Sequence, residues 1–298
     1  MREVDGSERY FLELDGVVAH KPISNDISQK IAYEFSELLP RKVFLAKEND
    51  LLSFQFASEW ADVVAKYIIG IAAAISGDLQ YAEALYSDVR TKIQQADNGF
   101  PVFAKLKERI PQRLAELFEA RARTSYEMWA NTHDKTHIAN LGEFLEKYNS
   151  EAGARKTPEM LTLSSIYIFL SAKDINKSKD YLNQIPKQCR DAIWHFNQAF
   201  LSAYHGDLKQ SIRHYRNGMN FNITADLIAK VEDFLCLIVT GEPDKAQLHY
   251  CLGFLNWKIK GDHLQAKNDF GKFISSEKSS PFQKEQSLAK QWLSEIET

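Results

Sequence analysis

The 298-residue sequence predicts a mostly α-helical protein, and three observations lead to that prediction. Glycine (13 residues) and proline (8 residues) are scarce, which favours long helices over short strands joined by turns. Apolar residues recur at helical spacing through nearly all of the chain after residue 57. Short turns, several of them Gly-Asp, separate pairs of these segments and return after 33 and then 35 residues. A regular return of this kind indicates a stack of helix-turn-helix repeats.

Composition and charge place the chain among ordinary globular proteins. Hydrophobic residues make up 44% and charged residues 26%, and the formal net charge is −3. Such a charge gives no global field that attracts nucleic acid or anionic membranes, so neither partner is expected, although a local basic face is compatible with it. The longest apolar run, Tyr67 to Ile75, is far shorter than the roughly 20 residues that span a bilayer.

Cysteine usage and the first residues predict a cytoplasmic protein. The three cysteines, Cys189, Cys236 and Cys251, form no CxxC pair and have apolar neighbours, which is typical of buried, reduced thiols. The first five residues are mostly charged and lack the apolar region of a secretion signal. Both features favour a reducing compartment.

Residues 1–57 differ from the rest of the chain and predict a small α/β unit. Arg9 to Ala19 is rich in strand formers, and Ile27 to Leu39 carries one apolar face and is predicted to be a helix. Lys42 to Ala46 and Leu51 to Phe56 are predicted to be two strands of a hairpin. This β-α-β-β unit has little core of its own, so we expect it to pack on the helices that follow. A strand so close to the first residue also suits part of a larger domain, and the sequence leaves both alternatives open.

The remaining residues divide into two helical regions. Residues 58–156 contain one helix pair and a long helix that is predicted to begin at Pro111 and end at Ala130. Residues 157–298 are predicted to be helical repeats. The turns within the helix pairs share their place and nearly their composition: Gly77-Asp78, Lys173-Asp174, Gly206-Asp207, Gly241-Glu242 and Gly261-Asp262.

Small and aromatic residues keep a constant distance from these turns. A small residue, Gly70 or Ala199, stands seven residues before the turn glycine, and an aromatic residue stands nine residues after it, as Tyr86, Tyr215 or Phe270. The small residue lets two helices approach closely, and the aromatic residue packs against the neighbouring helix. The spacing therefore predicts tightly packed antiparallel helix pairs.

In these features the chain resembles the tetratricopeptide-repeat family, over residues 63–96 and 157–276. The resemblance implies a mostly α fold, a solenoid of helix-turn-helix repeats whose first helices line a concave groove. The alternative is an unrelated α-helical bundle with chance Gly-Asp turns. Two stretches depart from the family pattern: residues 97–150, and the segment from Asp244 to Lys260, which closes one turn and opens the next.

The groove that the resemblance implies is aromatic. Its predicted partner-binding residues are Leu163 and Tyr167 in one repeat and Phe196, Phe200 and Tyr204 in the next. Exposed together, these side chains would form an apolar patch of the kind that binds a protein or peptide. The alternative is that other helices cover them and that they belong to the core.

No motif in the sequence predicts catalysis, a cofactor or a metal. Phosphate loops, dinucleotide fingerprints, GxSxG elbows, HExxH motifs and cysteine-histidine zinc signatures are all missing. His133 and His137 are four residues apart, but no third ligand accompanies them, so we expect a polar surface segment. Asp15 and His20 flank a predicted strand end and are interpreted as polar residues of that strand end. The remaining candidates are assigned packing or solvent-facing roles: His195, His205, His214 and His249.

Together these observations favour an interaction or regulatory scaffold that binds a protein or peptide through its helical repeats over an enzyme, without excluding catalysis. A clamp for a partner's C-terminal carboxylate is not expected, because only Asn197 matches the basic and amide residues that such a clamp needs. Two alternatives stay open: an enzyme or nucleotide sensor with its site in residues 1–57, and a helical repeat that binds nucleic acid. A molecule bound by residues 1–57 would favour the first, and a continuous positive stripe would favour the second.

Overall fold

Helices make up most of the structure, a computed structural model that describes residues 2–4, 7–12, 33, 43–45, 50–95, 101–153 and 156–297. They pack as neighbouring pairs along the chain, an arrangement compatible with a helical repeat. Twelve α-helices lie within the described ranges: α1 (Asp50–Ile75), α2 (Leu79–Gln95), α3 (Pro101–Thr132), α4 (Lys135–Ala152), α5 (Pro158–Ala172), α6 (Ile175–Asn183), α7 (Ala192–His205), α8 (Leu208–Gly218), α9 (Ala225–Gly241), α10 (Gln247–Phe254), α11 (His263–Ser275) and α12 (Gln283–Glu297).

The N-terminal residues contain short antiparallel strands. The strands pair in the order β1 (Arg2–Val4), β2 (Ser7–Leu12) and β3 (Val43–Leu45). The predicted strand Leu51 to Phe56 is wrong, because these residues belong to α1. A short apolar run does not distinguish a strand from a helix, and no glycine or proline separates this run from the helix that follows. Apart from Tyr33, the predicted helix Ile27 to Leu39 lies outside the described residues, so a β-α-β-β unit is not supported.

Among the described residues, four helix hairpins turn through a residue with a left-handed backbone followed by an aspartate that accepts from the backbone N–H three residues later. Gly206, with φ of 96°, ends α7, and the Asp207 carboxylate accepts a 3.0 Å hydrogen bond from the backbone N–H of Gln210 in α8. The same two features occur at the other three turns: Gly77 (φ 85°) with Asp78, Lys173 (φ 53°) with Asp174, and Gly261 (φ 74°) with Asp262. The first residue ends one helix and the second caps the next, as the predicted turns require.

Gly241 does not form a turn of this type. Helix α9 ends at Gly241 and is followed by Glu242, whose φ of −135° is not left-handed. The next helix begins only at Gln247. The predicted regular turn at Gly241 is therefore wrong, and a longer connection leads from α9 to α10.

Replacing Gly206 by valine should lower the free energy of unfolding by about 2 kcal/mol. A Cβ at this position would meet only Phe282, at 3.6 Å, so space is available and the loss arises from the left-handed backbone. Gly206→Asn is the matched control, because asparagine tolerates this conformation and its loss should be smaller. Urea denaturation measures both variants. Equal losses would contradict the assignment of the effect to backbone conformation.

Aromatic rings determine how closely paired helices approach. A Cβ on Gly70 of α1 would lie 2.6 Å from the ring of Tyr86 in α2, which is the predicted contact between a small and an aromatic residue. A Cβ on Gly218 of α8 would lie equally close to the ring of Phe196 in α7, also at 2.6 Å. Because any side chain would overlap these rings, glycine is required at both positions.

The hairpin of α10 and α11 contains one more residue than the others. Gly253 precedes the turn residue Gly261 by eight residues, whereas seven residues separate the small residue from the glycine in the first hairpin. The extra residue is accommodated in the π-helix Leu255–Lys260, which continues α10. A Cβ on Gly253 would still lie 2.6 Å from the ring of Phe270, so the small and aromatic residues meet here as well.

The long helix α3 begins earlier than predicted, at Pro101 instead of Pro111. Phe103, Leu106 and Ile110 are buried on one face of its first turns, and this burial stabilises helix on both sides of the proline. Pro111 lacks a backbone N–H and therefore leaves one carbonyl of the preceding turn without its helical donor. Although α3 has 32 residues, neither it nor any other described helix is long and apolar enough to cross a membrane.

The chain divides into two compact units. One comprises Met1–Ala122 and Glu143–Arg155, and the other comprises Arg123–Gly142 and Lys156–Thr298. The second unit contains three of the four hairpins, and α12 packs against the last of them. Its core is rich in aromatic rings, among them the fully buried Tyr215, Phe254 and Phe270.

Candidate functional site

The residues of the predicted aromatic groove lie in the core. Phe196, Phe200 and Tyr204 expose only 3%, 6% and 8% of their surfaces, and Leu163 exposes 5%. Tyr167 is partly exposed, and its ring lies against the backbone of α4, where a Cβ on Gly142 would be 2.5 Å away. The exposure that the groove prediction assumed is therefore wrong for four of the five residues.

Helix α8 accounts for the burial of Phe196, whose ring packs on Tyr215 at 5.9 Å, and α9 accounts for that of Phe200. Phe234 of α9 packs against Phe200 with ring centroids 4.9 Å apart, and against Phe169 of α5 at 6.4 Å. Phe169 in turn contacts Tyr204 at 4.8 Å. The helix that follows α8 thus covers the aromatic side of α5 and α7, which is the alternative that the sequence left open.

Tyr204 links the ends of α5, α7 and α9 through its hydroxyl. The hydroxyl donates a 2.5 Å hydrogen bond to Glu242, and the ammonium of Lys173 lies 2.7 Å from the other oxygen of that carboxylate. The ammonium of Lys245 lies 4.4 Å from the centre of the Tyr204 ring. Burial and the nearby carboxylate raise the pKa of Tyr204, so its hydroxyl stays protonated and can donate. We interpret this network as a structural link between helix ends.

Four rings gather where α7 begins and α8 ends, and we call them the histidine cluster: Trp194, His195, His214 and Phe221. The Nδ1 atoms of His195 and His214 are 3.2 Å apart, a distance at which one ring donates its N–H to the other. Trp194 packs on both imidazoles, with ring centroids 4.9 and 5.5 Å away, and Phe221 packs on His195 at 5.6 Å. Trp194 is buried, whereas both histidines are partly exposed and therefore reachable from solvent.

Arg190 is held rigidly beside the histidine cluster. Its guanidinium carbon lies 4.5 Å from the centre of the Trp194 ring. Its Nε and Nη2 donate hydrogen bonds of 3.1 and 3.3 Å to the backbone carbonyls of Ile185 and Asn183. These acceptors are neutral, so the bonds orient the guanidinium without neutralising its charge.

Two further cations, Lys179 of α6 and Arg213 of α8, stand close enough to His214 to lower its pKa. Among the described residues, neither they nor Arg190 forms an ion pair with a carboxylate. The carboxylates of Asp191 and Asp207, which act on the two histidines, already serve as helix caps: Asp191 accepts a 2.9 Å hydrogen bond from the backbone N–H of Trp194, and Asp207 caps α8. The surroundings of the histidine cluster are therefore positively charged.

Both imidazoles of the cluster are neutral at pH 7. Desolvation, together with the charges of His195, Arg213 and Lys179, lowers the pKa of His214 from 6.5 to about 4. Desolvation also lowers the pKa of His195, where the opposing effects of Asp191 and Arg190 are smaller. A neutral imidazole carries one N–H donor and one acceptor, which fits the observed bond between the two rings.

Acidification should destabilise the protein through this pair. The pKa of His214 is lower in the folded protein than in the unfolded chain. Between pH 6.5 and pH 4 the unfolded chain therefore binds a proton at this residue that the folded protein does not bind. Stability that is present at pH 7 is lost as the pH falls through this range. Because the imidazole is partly exposed, we expect about 1 kcal/mol of loss between pH 7 and pH 5 from this residue. Urea denaturation at both pH values measures the loss, and it should shrink in His214→Gln. An unchanged pH dependence in that variant would contradict the assignment.

Apolar side chains are exposed within the histidine cluster, at Phe221, and beside it, at Ile193 and Met219, and we call these three the apolar border. Ile193, Met219 and Phe221 expose 42%, 39% and 40% of their surfaces. Ile193 precedes the cluster on α7, and Met219 follows the end of α8. The cluster thus combines basic groups, imidazoles and apolar contact surface, a composition typical of interaction surfaces.

A second polar group lies between the π-helix and α11 and is interpreted as structural. Asn256 donates a 3.0 Å hydrogen bond to Asp269, and Gln265 donates a 3.2 Å bond to the same carboxylate oxygen. Asn256 and Asp269 are both buried, at 0% and 2% exposure. Their bond connects the two helices of the last hairpin across its core.

The remaining sequence candidates are dispersed. Cys189 and Cys236 are exposed and only Cys251 is buried, so the predicted burial of the thiols is wrong for two of the three. His133 lies in the turn between α3 and α4, and His137 lies in α4. The described residues contain no group of three or more histidine, cysteine or acidic side chains that could hold a metal. Asp15 and His20 lie outside the described residues.

The histidine cluster was not recognised in the sequence, where His195 and His214 were assigned packing or solvent-facing roles. The available signal was their position, because the two residues stand at the start of one helix and near the end of its antiparallel partner within one hairpin. Such positions face each other, so the pair of histidines was predictable once the hairpin was predicted.

Comparison with protein-family models, with curated proteins and with solved structures finds no match for this chain.

Proposed function

We propose that this protein is an interaction scaffold that binds another protein through its helical repeats, and that the histidine cluster with its apolar border is the contact surface. The resemblance of the hairpins to tetratricopeptide repeats supports the first part, because such repeats commonly present binding surfaces. The buried aromatic residues of the predicted groove are not part of this proposal. A cytoplasmic location stays a prediction from the sequence.

One observation carries the choice of surface. Ile193 and Phe221 remain exposed beside a rigid guanidinium that has no carboxylate partner in the described part of the chain. This surface exposes apolar area and unpaired positive charge in the same place. A partner that covers the apolar area and neutralises the charge would therefore bind with a favourable free energy. Elsewhere in the second unit Leu264 is also exposed, at 82%, but Lys260, four residues before it, is already paired with Glu232 at 2.7 Å.

The proposal is tested by partner capture with matched variants. Purified protein is used to capture proteins from native lysate, and the same is done with Ile193→Ser/Phe221→Ser and with the control Leu264→Ser/Leu288→Ser, which also replaces two exposed apolar residues. We expect a set of proteins that the control retains and the first variant loses, with all three thermal midpoints within a few degrees. Identical capture by all three would contradict the proposed surface.

A further inference from the structure

The histidine cluster carries more positive charge than its own hairpin neutralises. Arg190, Lys179 and Arg213 contribute three cations from three separate segments of the second unit. Among the described residues, the acidic groups whose charge acts on the two imidazoles are Asp191 and Asp207, and their carboxylates accept hydrogen bonds from backbone N–H groups of their helices. The charges that face His195 and His214 are thus three cations against two capping carboxylates, which favours an anionic ligand.

A divalent metal is a poorer fit to the same group. Two imidazole nitrogens 3.2 Å apart could bind one ion, but three nearby cations oppose a further positive charge. No third histidine, cysteine or acidic ligand joins the pair within the described ranges. The charge balance therefore decides between the two ligand classes in favour of the anion.

We propose that the histidine cluster, with Arg190, Lys179 and Arg213, binds a phosphomonoester group carried by the partner protein. This inference rests on the proposed function, because the apolar border would contact the residues around the phosphorylated one. A phosphate group offers three acceptor oxygens to these N–H donors, whereas a carboxylate offers two. Its second charge is balanced by the proton that the imidazoles take up on binding.

The guanidinium of Arg190 is prepared for this role. The carbonyls of Ile185 and Asn183 occupy donors on Nε and Nη2, and the remaining N–H groups are available to phosphate oxygens. Because the Trp194 ring and these two bonds already fix the side chain, little conformational entropy is lost on binding. Binding of a dianion would also stabilise the protonated imidazoles, so complex formation should be accompanied by proton uptake.

The first test uses inorganic phosphate and the full-length protein. The imidazole signals of His195 and His214 are followed by NMR at pH 7.5, where inorganic phosphate is mostly the dianion, during addition of phosphate, against sodium chloride at equal ionic strength. We expect saturable shifts of both signals with phosphate, and a loss of affinity of about tenfold in Arg213→Gln. Lys209→Gln is the control, since it removes another exposed cation from the same helix, one that does not act on the pKa of either histidine. Shifts that are the same with chloride, or equal affinity in both variants, would overturn the anion site.

The second test identifies the source of the phosphate group. A fluorescent peptide with one phosphoserine flanked by leucines is compared with its unphosphorylated form and with adenosine monophosphate, by anisotropy and by competition. We expect the phosphopeptide to bind at least about tenfold more tightly than either. Tighter binding of adenosine monophosphate would overturn the assignment to a partner protein.

The phosphate inference and the proposed interaction function can fail separately. If the Ile193→Ser/Phe221→Ser variant loses its captured proteins while phosphate leaves both histidine signals unshifted, the phosphate inference fails and the interaction function stands.

Discussion

Gly253→Val is expected to lower the free energy of unfolding by about 3 kcal/mol. A Cβ at this position would lie 2.6 Å from two atoms of the Phe270 ring and 2.8 Å from a third. The ring has no room to retreat, because Phe270 is fully buried and contacts Tyr250, Trp257 and Trp292. The helices α10 and α11 must therefore separate, and the aromatic contacts with α12 are disturbed with them. Urea denaturation monitored by tryptophan fluorescence measures the effect.

Gly271→Ala provides the control in the partner helix. A Cβ on Gly271 of α11 meets no atom within 4 Å, so alanine is accommodated without a clash. Replacing a glycine inside a helix by alanine should then stabilise the protein by about 0.5 to 1 kcal/mol. Opposite signs for the two variants support the close approach of α10 to α11. A Gly253→Val protein as stable as the wild type would exclude it.

Phe200→Ala is expected to lower the free energy of unfolding by about 4 kcal/mol, because the ring is almost fully buried between α5, α7 and α9. The ring makes edge contacts at 4.7 Å with Phe169 and at 4.9 Å with Phe234, and its removal leaves a cavity that these rings cannot fill without moving their helices. Thermal and urea unfolding measure the loss directly.

Ile193→Ala in the same helix separates core from surface. Ile193 exposes 42% of its surface, so its truncation should change the free energy of unfolding by less than about 1 kcal/mol. If Phe200→Ala were as mild as Ile193→Ala, the burial of Phe200 under α9 would be contradicted and the predicted aromatic groove would regain support.

The hairpins were predictable because their signals are local. An apolar helix face, a residue that tolerates positive φ and an aspartate that caps the next helix all lie within a few residues of each turn, as at Gly206 and Asp207. Lys173 was also placed correctly, although lysine rarely adopts the left-handed backbone. The Lys173 side chain pairs with Glu242, 69 positions later in the sequence, and this ion pair stabilises lysine at the turn. No local sequence pattern contains that contact.

The fate of the aromatic residues was not predictable in the same way. Phe196, Phe200 and Tyr204 have the same spacing whether they line a groove or a core, and the difference depends on where α8 and α9 lie. Local periodicity does not specify that placement, because it is determined by packing between distant segments. The histidine cluster is intermediate between the predictable hairpins and the unpredictable aromatic core. Neither histidine carries a signal alone, and the antiparallel arrangement of α7 and α8 brings their Nδ1 atoms to within 3.2 Å.

The π-helix Leu255–Lys260 shows how a helix of a hairpin can gain one residue while the stack of hairpins is kept. Inserting one residue into an α-helix rotates everything beyond it by about 100°, which would turn the buried face of the following segment towards solvent. A single wide turn absorbs the insertion instead, so that Gly253 still meets Phe270 and Gly261 still ends the helix. The hairpin can thus gain a residue inside a helix without losing its pairing, and the spacing between turns need not be constant for the stack to continue.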